Sequence, residues 1–185
     1  MSHMLQPELW VENYSDKLYA FTKARVQSDE TAMDIVQDTF LSAWSNRDGY
    51  RGEASEKNWL YTICRNKIID HYRRAVKSLE ESGISDYGTD YFDELGRWRP
   101  EAMPGAWLSD SSSATVETKE FYKVLNECKD RLKELQKAVF VMKYLDDLNS
   151  DEICKELQIT TSNYWVLMHR AKLQLRECLE HNWFS

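Results

Sequence analysis

The exposed side of one predicted helix, Ser162–Glu180, offers five side chains that can bond to phosphates or base edges. A shorter helical pattern, Ser150–Leu157, precedes it, and residues 158–161 form a short turn. A short helix, a tight turn and a longer helix constitute a helix-turn-helix, whose second helix enters the major groove of DNA. An ordinary helical hairpin has the same spacing and remains an open alternative. The candidate DNA contacts are Asn163, Trp165, His169, Arg170 and Lys172.

The sequence supplies an N-cap for the first helix of this motif and apolar residues that can pack the two helices together. Ser150 is a suitable N-cap for the first helix, with Asp151 and Glu152 favouring the positive helix end. The residues expected to pack the helices together are Ile153, Leu157, Ile159, Val166 and Leu167.

A second set of polar residues recurs three or four positions apart along Trp59–Arg74, so its members share one helix face. Asn and Arg side chains can bond to base edges and phosphates. The preceding loop adds Tyr50 and Arg51, which can stack on or hold an unpaired base. A solvated charged face is the open alternative. The set on the helix comprises Asn66, Asp70, Arg73 and Arg74.

A third set lies on the predicted helix Asp29–Trp44. Val36, Phe40 and Ala43 form its apolar stripe. The opposite side is acidic with one apolar residue, which suits a protein partner carrying basic residues. A plain amphipathic helix would show the same pattern. The residues of this face are Asp34, Gln37, Asp38 and Leu41.

The elements that position these sets are predicted to be helices throughout. The chain has only 6 Gly and 3 Pro in 185 residues, which argues against a turn-rich β fold. In the N-terminal half, Ser28 or Asp29 is expected to cap the helix that ends at Trp44, and polar residues 46–56 form a loop. Leu60, Cys64, Ile68, Tyr72 and Val76, together with Ile63, keep helical spacing and are expected to be core residues. The fold class is therefore all-α.

Charge is distributed unevenly along the chain. The net charge is -7, which by itself is unusual for a protein that binds nucleic acid. However, residues 51–77 hold seven Lys and Arg against three Asp and Glu, whereas residues 78–118 hold two against nine. The acidic stretch also breaks the helical periodicity, so 78–114 is predicted to be a flexible linker between two small domains. Its aromatic residues indicate that part of it docks on another surface.

The four cysteines fall inside helical patterns, so we expect free thiols in a reducing cytoplasm. Cys178 and His181 beside another cysteine suggest a zinc site as a rival hypothesis, but no paired C-x-x-C is present. No Ser-His-Asp set or glycine-rich phosphate loop stands out, so the chain is not expected to be an enzyme or to bind a cofactor. No signal peptide or apolar run of membrane length is visible, so no membrane insertion is expected.

Taken in order, the three sets resemble a known family. The strings Asp34–Trp44 and Trp59–Arg74 are similar to those of the extracytoplasmic-function (ECF) sigma factors, which consist of a sigma-two domain, a linker and a sigma-four domain. The tail with Glu152-Ile153-Cys154, His169-Arg170-Ala171 and the ending His181-Asn182-Trp183-Phe184 resembles one subgroup of them. The resemblance covers nearly the whole chain.

The resemblance implies a sigma-two-like domain at 5–77, the linker at 78–114 and a sigma-four-like helix-turn-helix domain at 115–185. It implies a role in transcription initiation, directing RNA polymerase to promoters and assisting promoter melting. The acidic face around Asp38 would bind the clamp coiled coil of the polymerase. Tyr50, Arg51, Asn66 and Asp70 would capture a base flipped from the minus-ten element, and Arg73 and Arg74 would hold phosphates.

The resemblance also implies partners. These are core RNA polymerase, promoter DNA with its minus-thirty-five element at the second helix of the motif, and an anti-sigma factor. No small-molecule substrate is implied. A stand-alone helix-turn-helix regulator that dimerises on a palindrome is the alternative function.

The sequence departs from the family pattern in two respects. Trp165 and Leu167 stand where many members have basic residues, and Gln158 stands in the turn where Gly is common. A left-handed Gln158 would cost on the order of 1 kcal/mol.

Overall fold

The computed structural model describes residues 5–81 and 116–183, with the side chains of 79–81 and 116–118 left aside. The chain divides into two compact units, the first ending at Ser78 and the second beginning at Leu79. Within the described ranges every regular element is a helix, which confirms the all-α prediction. Most of the predicted linker, including its aromatic residues, lies outside the described residues.

The first unit contains three α-helices and two short 3-10 turns. The helix α3 continues past the domain boundary that was predicted at Lys77. The elements are the 3-10 turn Pro7–Leu9, α1 (Trp10–Lys23), α2 (Asp29–Asn46), the 3-10 turn Arg47–Gly49 and α3 (Glu56–Glu81).

The start of α2 is fixed by a side-chain cap. The backbone of Ser28 is extended, and its Oγ accepts a hydrogen bond of 3.0 Å from the N–H of Thr31. Asp29 and Glu30 follow in the first turn, where negative charge is favourable. The cap is therefore Ser28, one of the two residues that the sequence predicted.

The core of the first unit forms where α3 packs with α1 and α2. The apolar stripe of α3 is buried as predicted at Leu60, Cys64, Ile68, Tyr72 and Val76, whereas Ile63 is only half-buried. Polar contacts also cross this core. The Oγ1 of Thr22 lies 3.2 Å from the Sγ of Cys64, and the Tyr72 hydroxyl donates a hydrogen bond to the Arg25 carbonyl. The helix face of α3 opposite this stripe is left facing solvent.

The second unit is built around its last helix, which packs against the other three. The buried residues of that helix recur every three or four positions, which is the spacing of one helix face. The helices are α4 (Val116–Asp130), α5 (Glu134–Tyr144), α6 (Ser150–Leu157) and α7 (Thr161–Asn182).

The predicted helix-turn-helix is present as α6, a tight turn and α7. A capping box starts α6: the Asn149 side chain accepts from the Glu152 N–H at 2.9 Å, and the Glu152 side chain accepts from the Asn149 N–H at 2.8 Å. The prediction of Ser150 as the N-cap was therefore wrong by one residue. Gln158 ends α6 with φ 58° and ψ 40°, the left-handed conformation that its position suggested. Thr160 then caps α7.

The seam between α6 and α7 differs in part from the prediction. Ile153, Leu157 and Ile159 are buried as expected. From α7, however, Tyr164 and Met168 are the buried residues, and Val166 and Leu167 are only half-buried. The inward face of α7 runs through 164, 168, 171, 175 and 179, so residues 166 and 167 fall to its sides.

The expectation of four free thiols was wrong for two of them. Cys128 of α4 and Cys178 of α7 are joined in a disulfide, with their Cα atoms 5.7 Å apart. The two cysteines meet because α4 and α7 pack around one apolar cluster that also contains Leu132 and Leu175. Cys64 and Cys154 are free.

None of the helices described in the two units is long and apolar enough to cross a membrane.

Candidate nucleic-acid and protein interfaces

The acidic face of α2 points away from the core. Asp34, Gln37, Asp38 and Leu41 are all exposed, as the helical spacing predicted, and the Leu41 side chain is 66% exposed. A single exposed apolar residue is common on protein surfaces, so Leu41 points to an interface only together with exposed apolar neighbours.

Two further apolar residues, which the predicted set did not include, extend this face. Met33 is 52% exposed and Trp44 is 53% exposed. The Arg47 guanidinium lies 4.4 Å from the centre of the Trp44 ring, a cation–π contact that keeps the indole at the surface. The signal was present in the spacing, because Met33 precedes Gln37 by one turn and Trp44 follows Leu41 by one turn. We call residues 33, 34, 37, 38, 41 and 44 the α2 face.

A surface pocket of about 340 Å³ connects the α2 face with α3. Arg74, which was predicted to bind phosphate, therefore lines the same pocket as Asp34 and Asp38. The predicted protein-binding and DNA-binding sets thus adjoin each other in the first unit. The lining residues are Thr31, Asp34, Ile35, Gln37, Asp38, His71 and Arg74.

The solvent side of α3 carries the predicted polar set. Asn66 and Asp70 are exposed, one turn apart. Arg73 forms an ion pair of 3.2 Å with Asp70, and Arg74 donates from Nε to the Asp70 backbone carbonyl at 3.4 Å. Surface pairs of this kind are weak, so both guanidinium groups can exchange their partner for a phosphate. Asn66 is left presenting its amide on the helix surface.

The loop before α3 is held by aromatic rings that pack against one another at tilted angles. The Tyr50 and Trp59 ring centroids are 5.1 Å apart, and Trp59 in turn lies 6.0 Å from Trp10. The Tyr50 hydroxyl donates a hydrogen bond to the Ala54 carbonyl within the loop. Arg51 is highly exposed, with Glu53 at 4.0 Å. These contacts favour Tyr50 as the residue that shapes the loop and Arg51 as the one that reaches outward.

The outward face of α7 begins with Thr161, Ser162 and Trp165, all exposed. Asn163, His169 and Lys172 are half-buried. The Trp165 ring lies 5.9 Å from the His169 ring and 5.1 Å from that of Tyr164. Thr161, Trp165, His169 and Lys172 follow one another at steps of three or four residues, so they form one stripe along the helix.

Arg170 does not belong to this stripe. Its side chain is half-buried, and its Nη2 atom is shielded from solvent with no hydrogen-bond partner among the described residues. An unpaired buried guanidinium nitrogen costs free energy unless a partner reaches it.

The rival zinc hypothesis loses one of its ligands. Cys178 is held in the disulfide and cannot serve as a thiolate ligand. In the part of the chain that the structure describes, no three His, Cys, Asp or Glu residues are grouped to hold a metal ion.

Both units match families of known proteins. The family described as Sigma-70 region 2 matches residues 10–78, and the family described as Sigma-70, region 4 matches residues 122–175. A probable RNA polymerase sigma factor of Haemophilus influenzae is 33% identical over 93% of this chain and 89% of its own length. The Bacillus subtilis RNA polymerase sigma factor YlaC is 27% identical, covering 96% and 94%, and the ECF sigma factor SigX of the same organism is 24% identical, covering 94% and 83%.

Among solved structures, the sigma factor RpoE in complex with the anti-sigma factor NepR from Bartonella quintana is similar at 18% identity. The TM-score is 0.42, and the match covers 95% of this chain and 97% of that one, a likeness too weak to carry an argument here. The sequence relatives and the two region matches are decisive. The chain belongs to the RNA polymerase sigma factors of the ECF type, which act in transcription initiation, and not to the stand-alone helix-turn-helix regulators.

Proposed function

We propose that the two units divide the work of promoter recognition, with residues 5–77 serving core polymerase and the minus-ten element and residues 115–185 serving the minus-thirty-five element. One observation supports this proposal: each matched region contains an exposed face. The region 2 match contains the α2 face, and the region 4 match contains the outward stripe of α7. Residues 78–114 connect the two. Linking two weak contacts in one chain raises their effective concentration without new interactions.

The α2 face binds the clamp coiled coil of the polymerase's largest subunit. Asp34 and Asp38 supply negative charge, and Leu41 supplies exposed apolar area between them and Trp44. Apolar anchors account for most of the affinity at such interfaces, while charge complementarity speeds association and selects the partner.

The exposed side of α3 captures an unstacked base of the minus-ten element. Asn66 offers an amide that can bond to a base edge, and Arg51 can reach it from the loop that Tyr50 shapes. Asp70 orients Arg73, and Arg73 and Arg74 bind backbone phosphates. Unstacking a base costs a few kcal/mol, which these contacts must offset for the duplex to open.

The helix α7 contacts the minus-thirty-five element in the major groove. Asn163, Trp165 and His169 face base edges, while Arg170 and Lys172 bind phosphates. The acidic total of -7 is tolerable because the polymerase, and not this chain alone, supplies most of the positive surface.

The proposed role requires no cofactor, small-molecule substrate, catalytic group or membrane insertion. It places the protein in the cytoplasm with the transcription machinery, a compartment whose thiol-reducing systems would act on the Cys128–Cys178 disulfide. An anti-sigma factor that covers the α2 face or the stripe of α7 would silence it, since both are required for promoter binding.

A gel-shift experiment on promoter fragments, with and without core polymerase, tests the proposal. We expect a specific shift only when polymerase and this protein are both present. Equal binding by the protein alone, as a dimer on a palindrome, would support the stand-alone regulator instead.

A further inference from the structure

The outward face at the start of α7 has an unusual composition for a DNA-reading helix. From Thr161 to Met168 the chain contains no Lys or Arg. Its exposed residues are two hydroxyl-bearing side chains, Thr161 and Ser162, and the indole of Trp165. Guanine is recognised in the major groove mainly by a bidentate Arg or Lys. The end of α7 that meets base edges therefore lacks the usual means of selecting G·C pairs.

Trp165 is not required by the core of its unit. Its neighbour Tyr164 is the aromatic residue that enters the core, at 2% exposure, whereas Trp165 remains 45% exposed. The Tyr164 and His169 rings contact the indole on the helix surface and limit where it can turn. The outward stripe thus holds a large apolar surface in a restricted orientation.

The major groove presents one apolar chemical group that the Trp165 indole can contact. The C5 methyl of thymine is the apolar feature that distinguishes a base pair there, and aromatic and aliphatic side chains contact it. Burying one methyl group against an apolar partner changes an equilibrium by about fourfold. Thr161 and Ser162 can bond to either type of base pair, so they do not change this preference.

We propose that Trp165 recognises a thymine by its methyl group, so that the minus-thirty-five element of this protein's promoters has an A·T pair at the position facing Trp165. The inference rests on the proposed role of α7 in promoter binding. It makes Trp165 a specificity-determining residue, with Lys172 further along the stripe supplying a sequence-independent phosphate contact.

Deoxyuridine substitution tests this directly, because it removes the thymine methyl and nothing else. The holoenzyme is reconstituted from core polymerase and the full chain, and its affinity is measured on a promoter selected by run-off transcription from genomic fragments. Each thymine of the minus-thirty-five element is replaced in turn. We expect one position at which deoxyuridine weakens binding about fourfold.

Variants of the protein assign that effect to a side chain. With Trp165→Ala the difference between thymine and deoxyuridine at that position should vanish, and with Trp165→Phe, which keeps an apolar ring, part of it should remain. Tyr122→Ala removes another exposed aromatic side chain from the same unit and should retain the full fourfold effect.

Three results would overturn the proposal. The first is that deoxyuridine weakens binding at no position, and the second is that Trp165→Ala leaves the sensitivity to deoxyuridine unchanged. The third is that the Trp165→Ala variant binds core polymerase poorly while its promoter preferences stay intact, which would make Trp165 a protein contact. If the wild-type holoenzyme gives no promoter-specific transcription at all, the proposed function itself fails and the inference falls with it.

Discussion

The indole Nε1 of Trp10 donates a hydrogen bond of 2.7 Å to Oε1 of Glu56, joining the first residue of α1 to the first residue of α3. The same carboxylate accepts from the Tyr14 hydroxyl at 3.1 Å and from the Gln6 N–H at 2.6 Å. Because Trp10 also lies against Trp59, which supports Tyr50, this carboxylate anchors the loop proposed to hold an unpaired base.

Removal of the Glu56 carboxylate should loosen the first unit. Glu56→Ala leaves the part-buried Trp10 indole N–H without its acceptor, which costs about 2 kcal/mol. Amide hydrogen exchange on the full chain should show protection in α1 and α3 reduced by about thirtyfold. Glu53→Ala, at an exposed carboxylate of the same loop, is the control and should change protection little. Equal protection in the two variants would show that the hydrogen bonds to Glu56 do not hold the unit together.

Charge reversal on α2 should separate polymerase binding from folding. Asp34→Lys with Asp38→Lys is expected to weaken binding to core polymerase by at least about tenfold, because two favourable charge contacts become repulsive. Glu12→Lys with Asp16→Lys reverses two exposed carboxylates at the same spacing on α1 and should bind like the wild type. Binding measured by fluorescence anisotropy of labelled protein distinguishes them. An equal loss of affinity for core polymerase in both double variants would show that net charge, and not the α2 face, determines binding.

The turn of the helix-turn-helix carries a measurable strain. Gln158 has φ 58°, a conformation that costs most residues about 1 kcal/mol and costs Gly little. Gln158→Gly should raise the free energy of unfolding of the second unit by about 0.5 kcal/mol, since the greater freedom of Gly in the unfolded chain offsets part of the gain. Urea denaturation measures this, with Gln37→Gly inside α2 as a control that should destabilise its own unit. A lower stability of Gln158→Gly would show that the Gln side chain contributes contacts of its own.

Local pattern was enough to predict much of this structure. The stripe of α3 from Leu60 to Val76, the exposed set on α2 and the left-handed Gln158 all follow from spacing and turn chemistry within a few residues. In α7 helical spacing predicted Val166 and Leu167 at the seam, whereas Tyr164 and Met168 are the buried residues. Near the start of α7 apolar residues occur on every side of the helix, so the sequence does not indicate which side packs against α6.

Features that depend on distant parts of the chain were not predictable in this way. The disulfide joins residues 50 positions apart and requires α4 to lie on α7. The pocket that Arg74 shares with Asp34 and Asp38 likewise depends on how α2 and α3 pack. Neither relationship leaves a signal in local spacing.

The disulfide should contribute strongly to the second unit. Cys128→Ser is expected to lower its free energy of unfolding by about 3 kcal/mol, because the crosslink restricts the unfolded chain. Reducing agent should lower the free energy of unfolding of the wild type to a similar value and leave that of Cys128→Ser unchanged. Cys154→Ser, at a free and half-buried thiol, is the control and should still respond to reductant. A wild type whose denaturation is the same with and without reductant would show that the crosslink adds no stability.

The most direct test of the central claim is permanganate footprinting of a promoter with reconstituted holoenzyme, since permanganate attacks unpaired thymines. Wild-type protein should open the minus-ten region. Asn66→Ala should reduce the opening about tenfold, the effect of losing hydrogen bonds to one base, while binding core polymerase normally. Asn58→Ala, which removes an exposed amide two turns earlier on α3, should behave like the wild type. Undiminished opening with Asn66→Ala would refute the proposed role of α3, and no opening with the wild-type holoenzyme would contradict the account as a whole.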